Sequence, residues 1–357
     1  MTGKTENRSF YWDILKGIGI MMIVAGHAAG NWLGAFVYLF HLEIFFFVSG
    51  WFFDEAKYGS APFLYIGRRL EGCWPRYLFY SFFFVLLHNP FVRLGLYRDM
   101  ALYDRTAMLT SFLSGITFNN TESIQSSLWF VPAWLVSSGI FAGIIRTGQH
   151  LPERGRTAAV ILLSCLAGAA GVFLNERGRA LPYMMQASFA VVPFHLMGYL
   201  LRRFLPGFRK YMTWYVCLAS CIILRLLNVK LHLFIDLAGL VIHGFRFYPV
   251  AALGIIFSLS LSELLLKVPG LSAWLASVGR HSFDVMALHM MCFKLLDLVF
   301  VRLPGNGEID PGGFPSSFGS RYYPVYIVLS VLVSWAIGLL TDRVFRFYGT
   351  LPDRCRK

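Results

Sequence analysis

About ten apolar runs, each close to the length that crosses a bilayer as a helix, follow one another along the chain. They fall at roughly 12–32, 34–53, 75–96, 128–146, 157–175, 184–204, 211–230, 247–267, 282–302 and 323–345. Hydrocarbon offers the backbone no hydrogen-bond partner, so runs of this length become helices. The expected fold class is all-α: a polytopic membrane bundle of about ten transmembrane helices. No soluble domain or internal repeat interrupts it, so residues 1–357 read as a single membrane-embedded domain. Composition agrees. The chain is 57% hydrophobic and 14% charged, where a soluble domain carries about 25% charged residues. Two further stretches, 106–118 and 231–245, are apolar but ambiguous.

The net charge of +13 raises the question of nucleic acid. The basic residues answer it, because they sit in short clusters between apolar runs, as membrane topology requires. With the N-terminus in the cytoplasm, the inside segments hold about 20 Lys and Arg and the outside segments about 10. Both termini are therefore expected in the cytoplasm. The first run contains Asp13, Lys16 and His27 and no small-residue cleavage site, so it reads as a retained span. Cys165, Cys217, Cys221 and Cys292 fall in apolar runs, Cys73 and Cys355 in loops placed inside, and no zinc-ligand spacing appears. Neither a disulfide nor a metal site is expected. The longest outside segments, about 97–127 and 303–322, are candidate walls of an outward-facing acceptor site.

Ionisable groups inside the apolar runs carry the functional signal, because burying them in hydrocarbon is expensive. Lys16 and His27 are eleven residues apart. At about 100° and about 1.5 Å per residue they lie within about 20° of one helical face and roughly 16 Å apart along the axis. A cation near the surface is thus linked to an imidazole deep inside, which suits a long anionic ligand whose reactive end enters the membrane. The bland alternative makes Arg8 and Lys16 topology anchors, Asp13 a helix-terminal charge and His27 a histidine bonded to a neighbouring helix. His41 and Glu43 sit in the second run, FHLEIFFFVSGWFF, where a carboxylate needs a partner. Arg68, Arg69 and Arg76 precede and open the third run. They are either charge anchors or a phosphate-binding cluster of planar donors. Trp129 and Trp134 open the fourth run, and His289 falls near the middle of the ninth. His195 is another intramembrane histidine, read mainly as a packed one.

With these residues in place the chain resembles the acyltransferase-3 family of bacterial integral-membrane acyltransferases, nearest its fucose 4-O-acetylase-like branch. The resemblance runs through Arg8, Asp13, Lys16-Gly17 and His27, then Phe40-His41, Phe45-Phe46-Phe47 and Ser49-Gly50. It continues through Leu128-Trp129-Phe130 and through Gly279 to Ser282 followed by His289. It implies acyl-CoA, most often acetyl-CoA, as a co-substrate entering from the cytoplasm, with no permanently bound cofactor. It also implies O-acylation of a cell-envelope carbohydrate and residence in the bacterial inner membrane. His27 matches the histidine regarded as catalytic in the family and Lys16 its basic partner. Two departures stand out. The family's Arg-x-x-Arg pair before the third span is incomplete, since Glu71 and Gly72 follow Arg68 and Arg69 at that spacing, with Arg76 a substitute. Glu43 stands where many relatives have proline.

The expected reaction is attack of a carbohydrate hydroxyl on the thioester, with His27 as general base and Asp13 balancing Lys16. Lys16 with Arg68, Arg69 or Arg76 would hold the CoA phosphates. His41 and Glu43 would orient His27 or the acceptor, and Trp129 and His289 would line or support the same cavity. The competing reading is a transporter or flippase for a lipid-linked sugar. That class should show matching interrupted helices in its two halves, and the halves of this sequence do not match.

Overall fold

The structure, a computed structural model, describes residues 2–28, 30–98, 100–119, 122–303, 310–313 and 319–347, of which 2–9, 319–321 and 346–347 are described by backbone alone. The described residues include four short 3-10 segments and fourteen α-helices: α1 (Thr2–Ala28), α2 (Trp32–Val37), α3 (Glu43–Trp51), α4 (Glu55–Tyr58), α5 (Pro62–Arg93), α6 (Arg105–Ile116), α7 (Phe130–Gly148), α8 (Glu153–Glu176), α9 (Met185–Phe204), α10 (Trp214–Leu231), α11 (Phe247–Leu265), α12 (Pro269–Arg280), α13 (Ser282–Val301) and α14 (Gly319–Phe347). No strand occurs among the described residues beyond an isolated bridge between Asp236 and Val241.

Six segments are long and apolar enough to cross a membrane: Ser123–Gly148, Glu153–Glu176, Pro182–Phe204, Trp214–Leu231, Gly244–Leu265 and Tyr322–Phe345. The other runs marked in the sequence are helical but carry ionisable groups or are broken. The run at 34–53 is not one helix: α2 ends at Val37, a turn follows, and α3 begins at Glu43. Glu43 belongs to the first turn of α3, where a carboxylate favours a helix N-terminus. Of the ambiguous stretches, 106–118 is α6, capped by Asp104, whose carboxylate accepts from Ala107 N–H at 2.7 Å. The 231–245 stretch is not a helix. It turns at the Asp236–Val241 bridge, where Asp236 accepts from the backbone of Ala238 and Gly239.

The chain divides into two compact units. The first comprises 1–19, 35–71 and 130–279. Within it α9 is packed by α3, α7 and α8, and α10 pairs with α11. Close approach explains two glycines: a Cβ at Gly50 would strike the backbone of His195, and one at Gly198 would strike the Phe47 carbonyl. Small residues let membrane helices touch backbone to backbone, where dispersion replaces the missing hydrophobic drive. Beside this seam lies an apolar cluster that includes Phe53, Tyr65, Phe141, Ile145, Val192 and Leu196. Glu55 gathers Tyr199 at 2.5 Å, Arg203 at 3.0 Å and Arg156 at 3.2 Å. The outer face of α10 leaves Leu218, Ile222, Leu226 and Val229 exposed, as a lipid-facing helix does.

The second unit comprises 20–34, 72–129 and 280–357. Here α13 packs along α14 and against the 3-10 segment Ser123–Trp129. Ser127 Oγ donates to the Met286 carbonyl of α13 at 2.8 Å. The segment after α5 is held by a buried knot. His88 Nδ1 lies 3.0 Å from Glu122 Oε2, Tyr97 donates to the same oxygen at 2.6 Å, and His88 Nε2 donates to the Ala101 carbonyl at 3.0 Å. The chain passes from one unit to the other inside α1, α2 and α5, just before α7, and in the last turn of α12.

Candidate functional site

In the second unit His27, in the last turn of α1, meets His289 of α13. His27 Nδ1 lies 3.1 Å from His289 Nε2. The ring planes are 14° apart and the ring centres 5.2 Å. With the two nitrogens only 3.1 Å apart, that separation requires them to lie near the line joining the ring centres. The contact is an in-plane hydrogen bond rather than a face-to-face stack. His289 is fully buried, its Nδ1 is 3.0 Å from the Val285 carbonyl, and Phe293 meets its ring edge-on. Trp129 closes the 3-10 segment that Ser127 ties to α13.

Arg76, at the start of the α5 part of this unit, ion-pairs with Asp284 at 3.3 Å and with Asp342. Asp284 is wholly buried and also receives Tyr80 O–H at 2.8 Å and Thr341 Oγ1–H at 3.4 Å. His281 Nε2 lies 3.0 Å from Asp342. The guanidinium of Arg76 is thus engaged by two carboxylates that join α5, α13 and α14.

The first unit holds the remaining expected residues. Asp13 and Lys16 form an ion pair of 2.7 Å one turn apart on α1. Just beside them α1 meets α12 without side chains between. A Cβ at Gly17 would strike the Leu275 carbonyl, and one at Gly279 the Asp13 carbonyl. Arg68 is exposed and paired to Glu71 at 2.8 Å. Arg69 lays its guanidinium over Tyr65 at 4.5 Å and Trp134 at 4.3 Å from the ring centres. His41, in the turn before α3, is buried, donates from Nδ1 to the Val37 carbonyl at 2.9 Å and packs on Tyr38. Glu43 is almost wholly buried. His195 is buried too, with Nε2 3.1 Å from Ser137 Oγ. The side chain of Arg8 lies outside the described residues.

A family model described as an acyltransferase domain, acyltransferase-3, matches residues 9–339. The chain belongs to the acyltransferase-3 family. No curated protein and no solved structure compared with it matches. Membership together with the apolar helices makes the chain an acyltransferase built into a membrane.

Sequence reasoning singled out both members of the His27–His289 contact and both members of the Asp13–Lys16 pair, though not the bond between the two imidazoles. It passed over Asp284, Asp342, Tyr80 and the His88–Glu122 knot. The signal for Asp284 was present: like His27, it is an ionisable residue in an apolar run, where a partner is obligatory. No group of three or more metal-ligating side chains occurs among the described residues.

Proposed function

We propose that this acyltransferase moves an acyl group, acetyl by its family resemblance, from acyl-CoA on the cytoplasmic side to a hydroxyl of a cell-envelope carbohydrate, in the inner membrane of a bacterium. The observation that carries the reading is the imidazole of His27 bonded to a second, buried imidazole in a chain whose family performs acyl transfer. His27 takes the proton of the acceptor hydroxyl as its oxygen attacks the thioester carbonyl. The new ester C–O bond forms, the C–S bond breaks, and the proton passes from His27 to the departing CoA sulfur, which leaves as the thiol. An imidazole with an ordinary pKa near ~6.5 can both accept and return that proton at neutral pH.

Lys16, Arg68 and Arg69 supply cations for the CoA phosphates, Arg through its planar fork of donors. Lys16 and His27 are eleven residues apart in the sequence, a helical spacing of roughly 16 Å that an extended phosphopantetheine arm would match. Arg76 serves to hold helices together rather than to bind phosphate. His41 and Glu43 belong to acceptor recognition, and Trp129 to the support of the His27–His289 contact.

His27→Ala tests the reading. Acetyl transfer to envelope carbohydrate should fall by about 10²- to 10⁴-fold, the usual contribution of a general base, while the protein still inserts and purifies as a folded species. Transfer at an undiminished rate by the folded variant would remove His27 from the chemistry. In cells, loss of the protein should erase one O-acetyl signal from the surface glycans.

A further inference from the structure

Two imidazoles in contact leave a choice of tautomers, and the backbone of α13 removes it. His289 Nδ1 lies 3.0 Å from the Val285 carbonyl oxygen. A carbonyl oxygen only accepts, so the neutral His289 ring carries its one proton on Nδ1 and presents a lone pair at Nε2. That Nε2 faces His27 Nδ1 at 3.1 Å. Two lone pairs make no hydrogen bond, so the proton in this contact sits on His27 Nδ1. A neutral imidazole has one ring proton, and the lone pair of His27 is therefore on Nε2.

We infer that His289 is a positioning residue that holds His27 in its Nδ1–H tautomer, so that Nε2 is the nitrogen that receives the acceptor's proton. The use made of Nε2 rests on the acyl-transfer reading above; the tautomer does not. The in-plane bond also fixes the ring's direction, so one acceptor sets both which nitrogen is basic and where it points. When Nε2 takes up a proton, the Nδ1–H bond to His289 stays and shares the new positive charge. A serine-hydrolase aspartate does the same for its histidine, and losing the correct tautomer there lowers turnover about 10⁴-fold. A neutral imidazole accepts less strongly than a carboxylate, so a smaller effect is expected here. The anchor is firm. His289 is fully buried, and the neighbouring Met286 carbonyl is taken by Ser127, which fastens the same turn of α13.

The test uses the full-length protein in lipid nanodiscs, labelled with 15N at histidine, with the His27 signals identified by their loss in His27→Ala. His27 should show a protonated, pyrrole-type Nδ1 and an unprotonated, pyridine-type Nε2. In parallel, labelled acetyl-CoA is supplied with a carbohydrate fraction from cells lacking the protein. His289→Phe should lower kcat by about 10²-fold, keep the KM for acetyl-CoA within about two-fold, and abolish the fixed Nδ1–H signature. His289→Gln, whose carboxamide oxygen can accept from His27 Nδ1, should restore that signature and most of the rate. A loss of packing alone would not be mended by Gln in this way. A pyrrole-type Nε2 at His27 in the unaltered protein, or undiminished kcat in His289→Phe, would overturn the inference. If His27→Ala transferred acetyl normally, the general-base reading would fail, and the nitrogen shifts would still decide the tautomer.

Discussion

Asp284 and Arg76 show how a charge is made tolerable inside a membrane protein. Asp284 has no exposure yet receives Arg76, Tyr80 and Thr341. Buried pairs contribute little net stability but are dangerous to break, because the abandoned charge remains buried. Asp284→Ala should therefore lower stability by about 3–5 kcal/mol, read as a drop in the thermal unfolding temperature of the purified protein. Asp284→Asn should cost less, since it still accepts from Tyr80. An Asp284→Ala protein that melts like the unaltered one would show that the network is dispensable. His27 and Lys16 were legible in the sequence because a lone ionisable group in an apolar run announces itself. The long-range pairings were not. Asp284, one of the two partners of Arg76, lies 208 residues away and His289 lies 262 residues from His27, and no local pattern encodes such pairings.

At the scale of elements, two seams depend on absent side chains. The α3–α9 seam closes at Gly50 and Gly198, and the α1–α12 seam at Gly17 and Gly279. Each approach is backbone against side-chain space, so the neighbour has no flexible end to move aside. Gly198→Val should reduce the yield of folded protein more than Gly207→Val, where nothing lies within 4 Å. Comparable yields of the two variants in size-exclusion profiles would discount the seam. The short segment 310–313 shows the opposite device, a loop held by charge. Lys294 of α13 donates to the carbonyls of Pro311 and Gly313, and Arg98 pairs with Asp310. The Gly312 backbone N–H, and then Arg98, hold the Asp310 carboxyl below the usual carboxylate range. A lowered folded-state pKa means that this clamp contributes fully above the ordinary Asp value of about 3.9 and is lost as pH falls below it. The group is exposed, so the effect should be small and weakened by salt. Hydrogen exchange of the Gly312 amide at acid and neutral pH would show it as faster opening at the acid end.

For the whole molecule, the basic residues argue for both termini in the cytoplasm, by the excess of Lys and Arg in the inside segments. A fluorescent reporter that folds only in the cytoplasm, fused after Lys357, should be bright, and a periplasm-dependent phosphatase there should be silent. The reverse result would invert the topology and count against the proposed entry of acyl-CoA from the cytoplasm past Lys16, Arg68 and Arg69. Apolar content by itself determined that this chain is helical and membrane-embedded, since hydrocarbon admits few other ways to satisfy a backbone. The ordered set Lys16, His27, Phe40-His41 and His289 by itself pointed to the family. Tertiary structure alone decided which charges are neutralised by which partners, that the run at 34–53 breaks before Glu43, and that His27 meets His289. The physical reason is range. Hydropathy is a sum over neighbours in the chain, whereas a hydrogen bond or an ion pair needs two atoms about 3 Å apart, and only folding brings residues of distant helices to that distance.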